Sequence, residues 1–195
     1  NLLRFVPGTA QDLRAYLLTM QYWLAGSQEN VEHMIAFLID RYAAGPRAAL
    51  RGTVEHALPI RYPAEGLYHP ALANRITEEP RDLPRRRGDA EQPTVGLLLM
   101  RSYVLARNTA HYDGVIQALD ERGLRVVPAF ASGLDARPAI ERYFVRDGRA
   151  TVDAVVSLTG FSLVGGPAYS DPKAAEEMLA RLDVPYVCAQ ATEFQ

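Results

Sequence analysis

The residues best placed to do chemistry in this chain follow four apolar runs in its second half. The runs are residues 95–100, 126–131, 152–159 and 184–189, and each ends at a polar or glycine-rich segment. In an open sheet of parallel strands, ligands bind beyond the carboxyl ends of the strands, near the point where the strand order reverses. We therefore expect the segments after these runs to share one binding edge.

Two of these segments carry the predicted ligand-binding residues. The segment after the first run offers a cation and two hydroxyl groups, and the segment after the third contains Gly165-Gly166-Pro167, which fixes an unusual backbone path. Apolar side chains in the third segment predict either a pocket wall for a flat hydrophobic ligand or packing over the sheet or against another domain. The predicted ligand-binding residues are Arg101, Ser102, Tyr103, Gly160, Phe161, Leu163, Val164, Gly165 and Gly166.

Two residues near the same edge are candidate proton carriers. His111 stands in the first turn of a predicted helix, and imidazole titrates near neutral pH. The alternative is that His111 is a partly exposed polar residue at a helix start. Glu193 directly follows the fourth apolar run, a common place for functional groups. The four histidines are scattered without metal-ligand spacing, so no metal site is predicted.

Several signatures of nucleotide-binding proteins and hydrolases are absent from the sequence. There is no G-x-x-x-x-G-K-[ST] loop and no G-x-G-x-x-G turn after the first run, and residues 160–164 only approach G-x-S-x-G. These absences argue against a P-loop ATPase, the usual dinucleotide fold and a serine hydrolase. The single cysteine, Cys188, excludes an internal disulfide and a zinc site built from several cysteines.

The elements that position these segments form a doubly wound α/β domain over residues 94–195. Helical periodicity covers residues 109–122, 137–145 and 171–182, between the apolar runs. This alternation indicates a flavodoxin-like fold with a four-stranded parallel sheet covered on both faces. A strand order of 2-1-3-4 would place the first and third segments on either side of the ligand crevice.

The first half of the chain is predicted to be a helical hairpin followed by a connector. In residues 1–45 the spacing predicts helices over 9–25 and from Ser27 onward, with Ser27 as the N-cap. Residues 46–93 contain seven prolines and are predicted to be irregular, with a short strand over 54–60. The apolar residues expected on one face of the first helix are Leu13, Tyr16, Leu17, Met20, Trp23 and Leu24.

Composition and charge exclude several classes of protein. Of the 195 residues, 48% are hydrophobic and 23% are charged, and the net charge is −2. These values exclude a disordered tail, a collagen-like fibre and a coiled coil, and they argue against a nucleic-acid partner. The three arginines Arg85, Arg86 and Arg87 are flanked by acids, which favours a solvated loop over a phosphate site. No apolar run approaches the roughly 20 residues of a membrane span.

One segment connects the sequence to a known family. Residues 157–168, SLTGFSLVGGPA, resemble the large porphyrin-binding (H) subunits of magnesium chelatases, which are related to the large cobaltochelatase subunits. The resemblance covers nearly the whole chain, most weakly residues 72–93. Tyr103 departs from it, because many members have histidine there. The other matching stretches, in the same order, are residues 22–27, 68–70, 101–104, 110–112, 130–135, 182–186 and 194–195.

The resemblance implies a function in chlorophyll or bacteriochlorophyll synthesis. The family's H subunit binds protoporphyrin IX and takes part in inserting Mg²⁺, and two AAA+-type partner subunits hydrolyse ATP. The chemistry of that reaction suggests candidates among the residues above: His111 or Glu193 would carry pyrrole protons, Arg101 would pair with a propionate, and the segment around Phe161 would hold the ring. Family members are several times longer, so Asn1 and Gln195 would be the ends of a piece that works with the remainder of its own H subunit.

Further expectations follow from the same resemblance. The chain would bind no cofactor tightly, would be inactive alone, and would lie in the cytoplasm, or in the plastid of a plant or alga. Three alternatives stay open: a scaffold that docks other domains or the ATPase subunits, a cobaltochelatase acting on a corrin precursor, and an unrelated flavodoxin-like sensor. Porphyrin binding would separate the first alternative from a chelatase site, and the ring preference of the complete subunit would separate the second.

Overall fold

The computed structural model of the chain forms two compact units. The helical unit comprises residues 9–62 and 105–107, and the sheet unit comprises the other described residues from 63 onward. The connector predicted over residues 46–93 is divided between the two units, because residues 46–62 lie in the helical unit and residues 63–85 lie in the sheet unit. The predicted domain boundaries at residues 45 and 93 stay predictions. The residues that the structure describes are 9–85, 92–166 and 168–190.

Two helices form the core of the helical unit. Helix α1 spans Thr9–Ala25 and helix α2 spans Gln28–Tyr42, and a 3₁₀ turn over Gly45–Leu50 follows them. The Ser27 hydroxyl oxygen accepts a hydrogen bond from the backbone N–H of Asn30 at 3.1 Å, so it satisfies one of the unpaired donors at the start of α2. The predicted helical pair and the Ser27 cap are confirmed.

The side of α1 that packs against α2 differs from the predicted one. Ala15 and Tyr22 are buried with Phe37 of α2, whereas Trp23 is 61% exposed. Helix α1 is apolar around much of its circumference, so periodicity alone did not select the correct side. The Tyr22 hydroxyl donates to the backbone carbonyl of Ala57, which favours the observed orientation. The other exposed members of the predicted face are Leu13, Tyr16, Leu17 and Leu24.

An extended segment over residues 51–62, which we call the strap, lies along α2. It contains no strand, so the predicted strand over 54–60 is wrong. Its backbone groups pair with side chains of α2 instead of with another strand. The Asn30 amide both donates to and accepts from the backbone of Ile60, each at 2.8 Å. Two further bonds run from Val54 N–H to Asp40 at 3.0 Å and from Ala57 N–H to His33 at 3.3 Å.

Among its described residues, the sheet unit contains ten short or medium strands and four helices. The strands are β1 Glu65–Tyr68, β2 Ile76–Thr77, β3 Thr94–Met100, β4 Arg125–Ala131, β5 Val145–Arg146, β6 Arg149–Ala150, β7 Ala154–Ser157, β8 Gly165–Gly166, β9 Tyr169–Ser170 and β10 Tyr186–Cys188. The helices are α3 Arg101–Leu105, which ends in the helical unit, α4 Ala110–Glu121, α5 Arg137–Tyr143 and α6 Pro172–Leu182.

The main sheet has the order β10-β7-β3-β4-β1-β2. Its strands β10, β7, β3 and β4 are parallel, so the predicted parallel sheet and the order 2-1-3-4 are confirmed. The antiparallel strands β1 and β2 extend the sheet beyond β4 and were not predicted. Pairs β5–β6 and β8–β9 form two separate antiparallel hairpins. The predicted helices correspond to α4, α5 and α6, and Asp171 caps α6 by accepting from Ala174 N–H at 3.0 Å.

Apolar side chains cover both faces of the main sheet. Along β3, Leu97 packs on one face with α4, and Leu98 packs on the other with α5 and α6. Both are fully buried, as expected for a parallel strand between two helical layers. Gly96 of β3 leaves room for the ring of Phe144, which lies where a Cβ would stand. Among the described helices, none has the length and apolarity that crossing a bilayer requires.

Candidate functional site

A cavity opens at the carboxyl edge of the sheet, where sequence reasoning placed the site. Its volume is about 360 Å³, including its open mouth. The ends of β3, β4 and β7 and the loops after β4 and β7 line it. Most lining residues are apolar, and the polar ones are Asp135, Ser157, Thr159 and Ser162. This composition is typical of small-molecule pockets, which are largely apolar with a few placed polar atoms.

The loops after β4 and β7 are joined to each other at the cavity rim. Gly165 N–H donates to the carbonyl of Leu134 at 2.9 Å, and Ala136 N–H donates to the carbonyl of Leu163 at 3.0 Å. Asp135 and Val164 form an antiparallel bridge between these two bonds. The rim is therefore a short piece of sheet, although its two sides are far apart in sequence.

Gly165 is required by this arrangement for two independent reasons. Its φ of +109° lies in a region that side-chain-bearing residues rarely adopt. In addition, a Cβ at this position would overlap the backbone carbonyl of Tyr169 in β9. A Cβ on the neighbouring Gly166 would meet the side chain of Leu134. The adjacent glycines noted in the sequence thus permit the close contact between the two loops.

The Asp135 carboxylate at the rim is neutralised by a neighbouring arginine. Arg137 at the start of α5 donates to both carboxylate oxygens of Asp135, at distances from 2.6 to 3.1 Å. These hydrogen bonds hold the pKa of Asp135 below its ordinary value. Asp135 is consequently ionised at neutral pH and paired, which suits it to orient the rim rather than to carry a proton.

Two of the predicted ligand-binding residues line the cavity. Phe161 lies at the mouth and is 36% exposed, and its N–H donates to the Thr159 hydroxyl at 3.3 Å. Leu163 lines the cavity and, like Val164, packs in the main core. Gly160 turns the chain after β7 with a φ of +71°. Burial of Leu163 and Val164 fits the alternative in which this segment partly packs over the sheet.

The segment after β3 is a helix and does not line the cavity. Residues 101–103 were expected to be a loop, but they form the first turn of α3. The Arg101 side chain is half-buried, and its Nε–H donates to the carbonyl of Pro63 at 2.8 Å. Burial lowers the pKa of Arg101, and the nearby Glu65 carboxylate partly opposes that shift. Ser102 and Tyr103 are exposed.

The candidate proton carrier His111 belongs to an aromatic cluster beside α3. Its ring lies 3.9 Å from the Tyr112 ring and 5.4 Å from the Tyr103 ring, measured between centroids. Burial raises the pKa of Tyr112 to about 12, and its hydroxyl accepts from the N–H of Met100 at 3.1 Å. The imidazole is thus held near the end of β3 but is not among the residues that line the cavity. Glu193 and Pro167 lie outside the described residues.

Most residues that line the cavity were not selected by sequence reasoning, among them Leu134, Asp135, Ser157 and Thr159. The available signal was their position directly after β4 or at the end of β7, because topology brings those strand ends together. The Ser157 and Thr159 hydroxyl oxygens lie 3.1 Å apart and form a polar patch on the cavity wall. Within residues 9–85, 92–166 and 168–190, no three His, Cys, Asp or Glu side chains are grouped to bind a metal ion.

The sequence also matches known proteins along its length. The family model CobN/Magnesium Chelatase matches residues 20–195. The chain is 58% identical to the magnesium-chelatase H subunit of Cereibacter sphaeroides over all 195 residues, which is 16% of that protein. It is 36% identical, again over its whole length, to the chloroplastic magnesium-chelatase ChlH subunit of Oryza sativa subsp. indica, covering 15% of it.

A solved structure supports the same relationship at the level of the fold. The "Catalytic Subunit of Cobaltochelatase from Mycobacterium tuberculosis" matches with a TM-score of 0.58 and 24% identity. The match covers 90% of this chain and 13% of that one. The chain thus spans about one sixth of the length of the relatives it matches. Because the family model matches most of its residues, the chain belongs to the CobN/magnesium chelatase family.

Proposed function

We propose that the chain is an N-terminal-side part of the porphyrin-binding H subunit of a magnesium chelatase. This subunit would take part in inserting Mg²⁺ into protoporphyrin IX on the way to chlorophyll or bacteriochlorophyll. The observation that carries the proposal is the 58% identity to a magnesium-chelatase H subunit over all 195 residues. The similarity to a cobaltochelatase subunit, at 24% identity, supports the shared fold and not the choice of metal.

The proposal includes a division of labour between subunits. ATP would be hydrolysed by AAA+-type partner subunits, and the chain itself would be inactive without them and without the rest of its own subunit. The absence of a G-x-x-x-x-G-K-[ST] loop from the sequence is consistent with this division. The subunit would work in the cytoplasm of a bacterium or in the plastid of a plant or alga.

Within the chain, the cavity at the carboxyl edge is the proposed contact with the porphyrin. The space of about 360 Å³ includes the open mouth, so the cavity would take one apolar edge of the macrocycle and not the whole ring. Phe161 at the mouth would lie against that edge. The hydroxyls of Ser157 and Thr159 would face any polar substituent that enters.

Porphyrin metallation requires two pyrrole protons to leave and Mg²⁺ to lose water, which it does reluctantly. His111 and Glu193 are the proposed proton carriers, and Arg101 is the proposed partner of a propionate carboxylate. The half-buried position of Arg101 strengthens any such charge pair, because water screens it less.

The experiment is metal insertion by the full subunit together with its partner subunits, Mg²⁺ and ATP. We expect protoporphyrin IX to be converted to its magnesium complex, followed by the shift in porphyrin fluorescence, with no product when ATP is omitted. Insertion of cobalt into a corrin precursor, with protoporphyrin IX unused, would move the chain to the cobaltochelatase branch.

A second candidate function is a scaffold that never touches the porphyrin. Burial of Leu163 and Val164 in the main core favours it, because those side chains then serve packing. Porphyrin affinity of the full subunit, measured by fluorescence quenching, decides between the two. Loss of affinity in Phe161→Ala, with none in the exposed control Leu58→Ala, supports contact; unchanged affinity in both, and in Arg101→Ala, supports the scaffold.

A further inference from the structure

A basic groove lies at the amino-terminal edge of the sheet, opposite the cavity described above. Its volume is about 1040 Å³, including the open side. The groove lies beside the first residues of β3 and β4, represented by Thr94 and Arg125. Five arginines line it, namely Arg81, Arg85, Arg125, Arg142 and Arg146.

The fold assembles these arginines from four separate parts of the chain. Arg81 and Arg85 lie in and after the 3₁₀ turn over Pro80–Asp82, and Arg125 begins β4. The other two belong to α5 and β5. The basic run at residues 85–87 was expected to be a solvated loop, and Arg85 is exposed and outside any helix or strand. It also joins a larger cluster that is not visible in the sequence. Residues 86 and 87 are outside the described part of the chain.

The positive charge of the groove is only partly neutralised. Arg142 pairs with Glu78 at 2.9 Å, and Arg81 lies 3.8 Å from Glu79. No carboxylate of the described residues is within ion-pair distance of the other three guanidinium groups, those of Arg85, Arg125 and Arg146. The chain as a whole carries a net charge of −2, so this edge has a local charge opposite to that of the molecule. Guanidinium groups stay protonated across the physiological pH range.

The rest of the lining favours a peptide over other anions. Pro80 and Val145 provide apolar wall, whereas Val127 and Tyr143 are buried at 5% and 6% exposure, so no open aromatic face is offered for stacking a base. Nucleic-acid grooves commonly use such faces. The lining contains no glycine and no cradle of backbone N–H groups of the kind that holds phosphate. Spaced guanidinium groups with apolar wall between them match acidic side chains that alternate with apolar ones.

We propose that this basic groove docks an acidic segment of a protein partner. Carboxylates would form bidentate pairs with Arg125 and Arg146, which have fork-shaped donor sets suited to them. Apolar side chains of the segment would contact Pro80 and Val145. The site is separate from the proposed porphyrin contact, and its occupancy can be measured without metal insertion.

The test uses the full subunit and a fluorescein-labelled peptide of alternating glutamate and leucine, with binding followed by fluorescence anisotropy. The charge-reversal variant R125E/R146E should bind the peptide at least about tenfold more weakly, because two attractive contacts become repulsive. The milder variant R125Q/R146Q should show the same direction with a smaller loss. A matched control, R122E/K173E, changes the same charge at exposed positions outside the groove and should alter affinity less than about twofold.

Several results would overturn the proposal. If peptide affinity fell equally in the control and groove variants, the cause would be a general charge effect. If a peptide with glutamine in place of glutamate bound with the same affinity, the carboxylates would not be recognised. Binding of inorganic pyrophosphate or of single-stranded DNA at the groove, with no binding of the peptide, would assign the groove to another class of ligand. Unchanged urea unfolding midpoints of the variants would confirm that they fold.

Discussion

In the sheet unit, strand β3 is buried on both faces, whereas in the helical unit the longest helix exposes several of its largest apolar side chains. Leu97 and Leu98 are each at most 1% exposed, while Trp23 and Leu24 of α1 are 61% and 74% exposed. The buried core of the helical unit consists of Ala15, Tyr22 and Phe37, far fewer residues than pack around the sheet. The two units therefore depend to different degrees on apolar burial.

The backbone of the two units is also satisfied differently. In the sheet unit, backbone groups pair with backbone groups of neighbouring strands, as β3 does with β4 over seven residues. In the helical unit, the strap forms hydrogen bonds with the side chains of Asn30, His33 and Asp40 in α2 and of Tyr22 in α1. Apolar burial tolerates similar substitutions, while such side-chain connections depend on individual residues. The following predictions test this difference, beginning with the largest effect.

Phe144→Ala should give the largest loss of stability. The ring is fully buried against Gly96, so truncation removes apolar contacts and leaves a cavity, at a cost of about 3–5 kcal/mol. Urea unfolding of the chain measures the loss. Tyr169→Ala, at a residue 69% exposed, should change the free energy of unfolding by less than about 0.5 kcal/mol. Similar losses in both variants would contradict the role assigned to burial.

Asn30→Ala should destabilise the helical unit specifically. It removes both hydrogen bonds to the partly buried backbone N–H and carbonyl of Ile60, which costs about 1–3 kcal/mol. Hydrogen exchange should become faster at Ile60 while the amides of β3 keep their protection. The exposed Asn74→Ala serves as control. Unchanged exchange at Ile60 would show that the strap does not depend on this amide.

Gly96→Ala should destabilise the sheet unit by overfilling it. The added methyl would come within 3 Å of the Phe144 ring, and such overpacking costs about 1–3 kcal/mol. Combining it with Phe144→Leu should recover part of the loss, since the smaller side chain makes room. A double variant whose loss equals the sum of the single losses would contradict the direct contact.

His69 should make the sheet unit less stable in acid. Burial lowers the pKa of His69 below its ordinary value of 6.5, so the folded chain holds this proton less tightly than the unfolded chain does. The stabilisation is complete above pH 6.5 and is lost as pH falls towards the lower folded pKa. His69→Asn keeps an acceptor for Ala71 N–H but does not titrate, so its unfolding curve should depend less on pH over this window. An unchanged pH dependence would exclude His69 as the cause.

Trp23→Ser should have the smallest effect. Its side chain is largely exposed on α1, so the free energy of unfolding of the chain should change by less than about 0.5 kcal/mol. Thermal unfolding followed by circular dichroism measures this change. A loss comparable to that of Phe144→Ala would show that Trp23 is covered in solution.

The sequence allowed the central fold to be predicted because its signals are local. Continuous apolar runs marked β3 and β4, and Ser27 marked the start of α2 by its capping chemistry. Strand β1 was missed because it has four residues and pairs with β4, more than 60 positions later. Helix α3 was missed because five residues carry too little periodicity.

For the candidate site, topology was the useful signal and individual side chains were less so. A cavity lies at the carboxyl edge, where a binding edge was predicted, and Phe161 and Leu163 line it. Ligand binding at this edge stays a prediction. Leu134 and Asp135 were not selected, because their position depends on pairing with Leu163 to Gly165, a contact between distant parts of the chain. The roles of Arg101, His111 and Glu193 stay predictions.

The antiparallel position of β1 has a consequence for synthesis of the chain on the ribosome. Glu65 pairs with Ala131, so β1 leaves the ribosome 66 residues before the partner that covers its edge. At the usual rates of translation, the interval is about 3–13 s. During that time β1 can pair with β2 but not with β4. Slow codons placed between these two positions should therefore increase misfolding, while slow codons after position 131 should not.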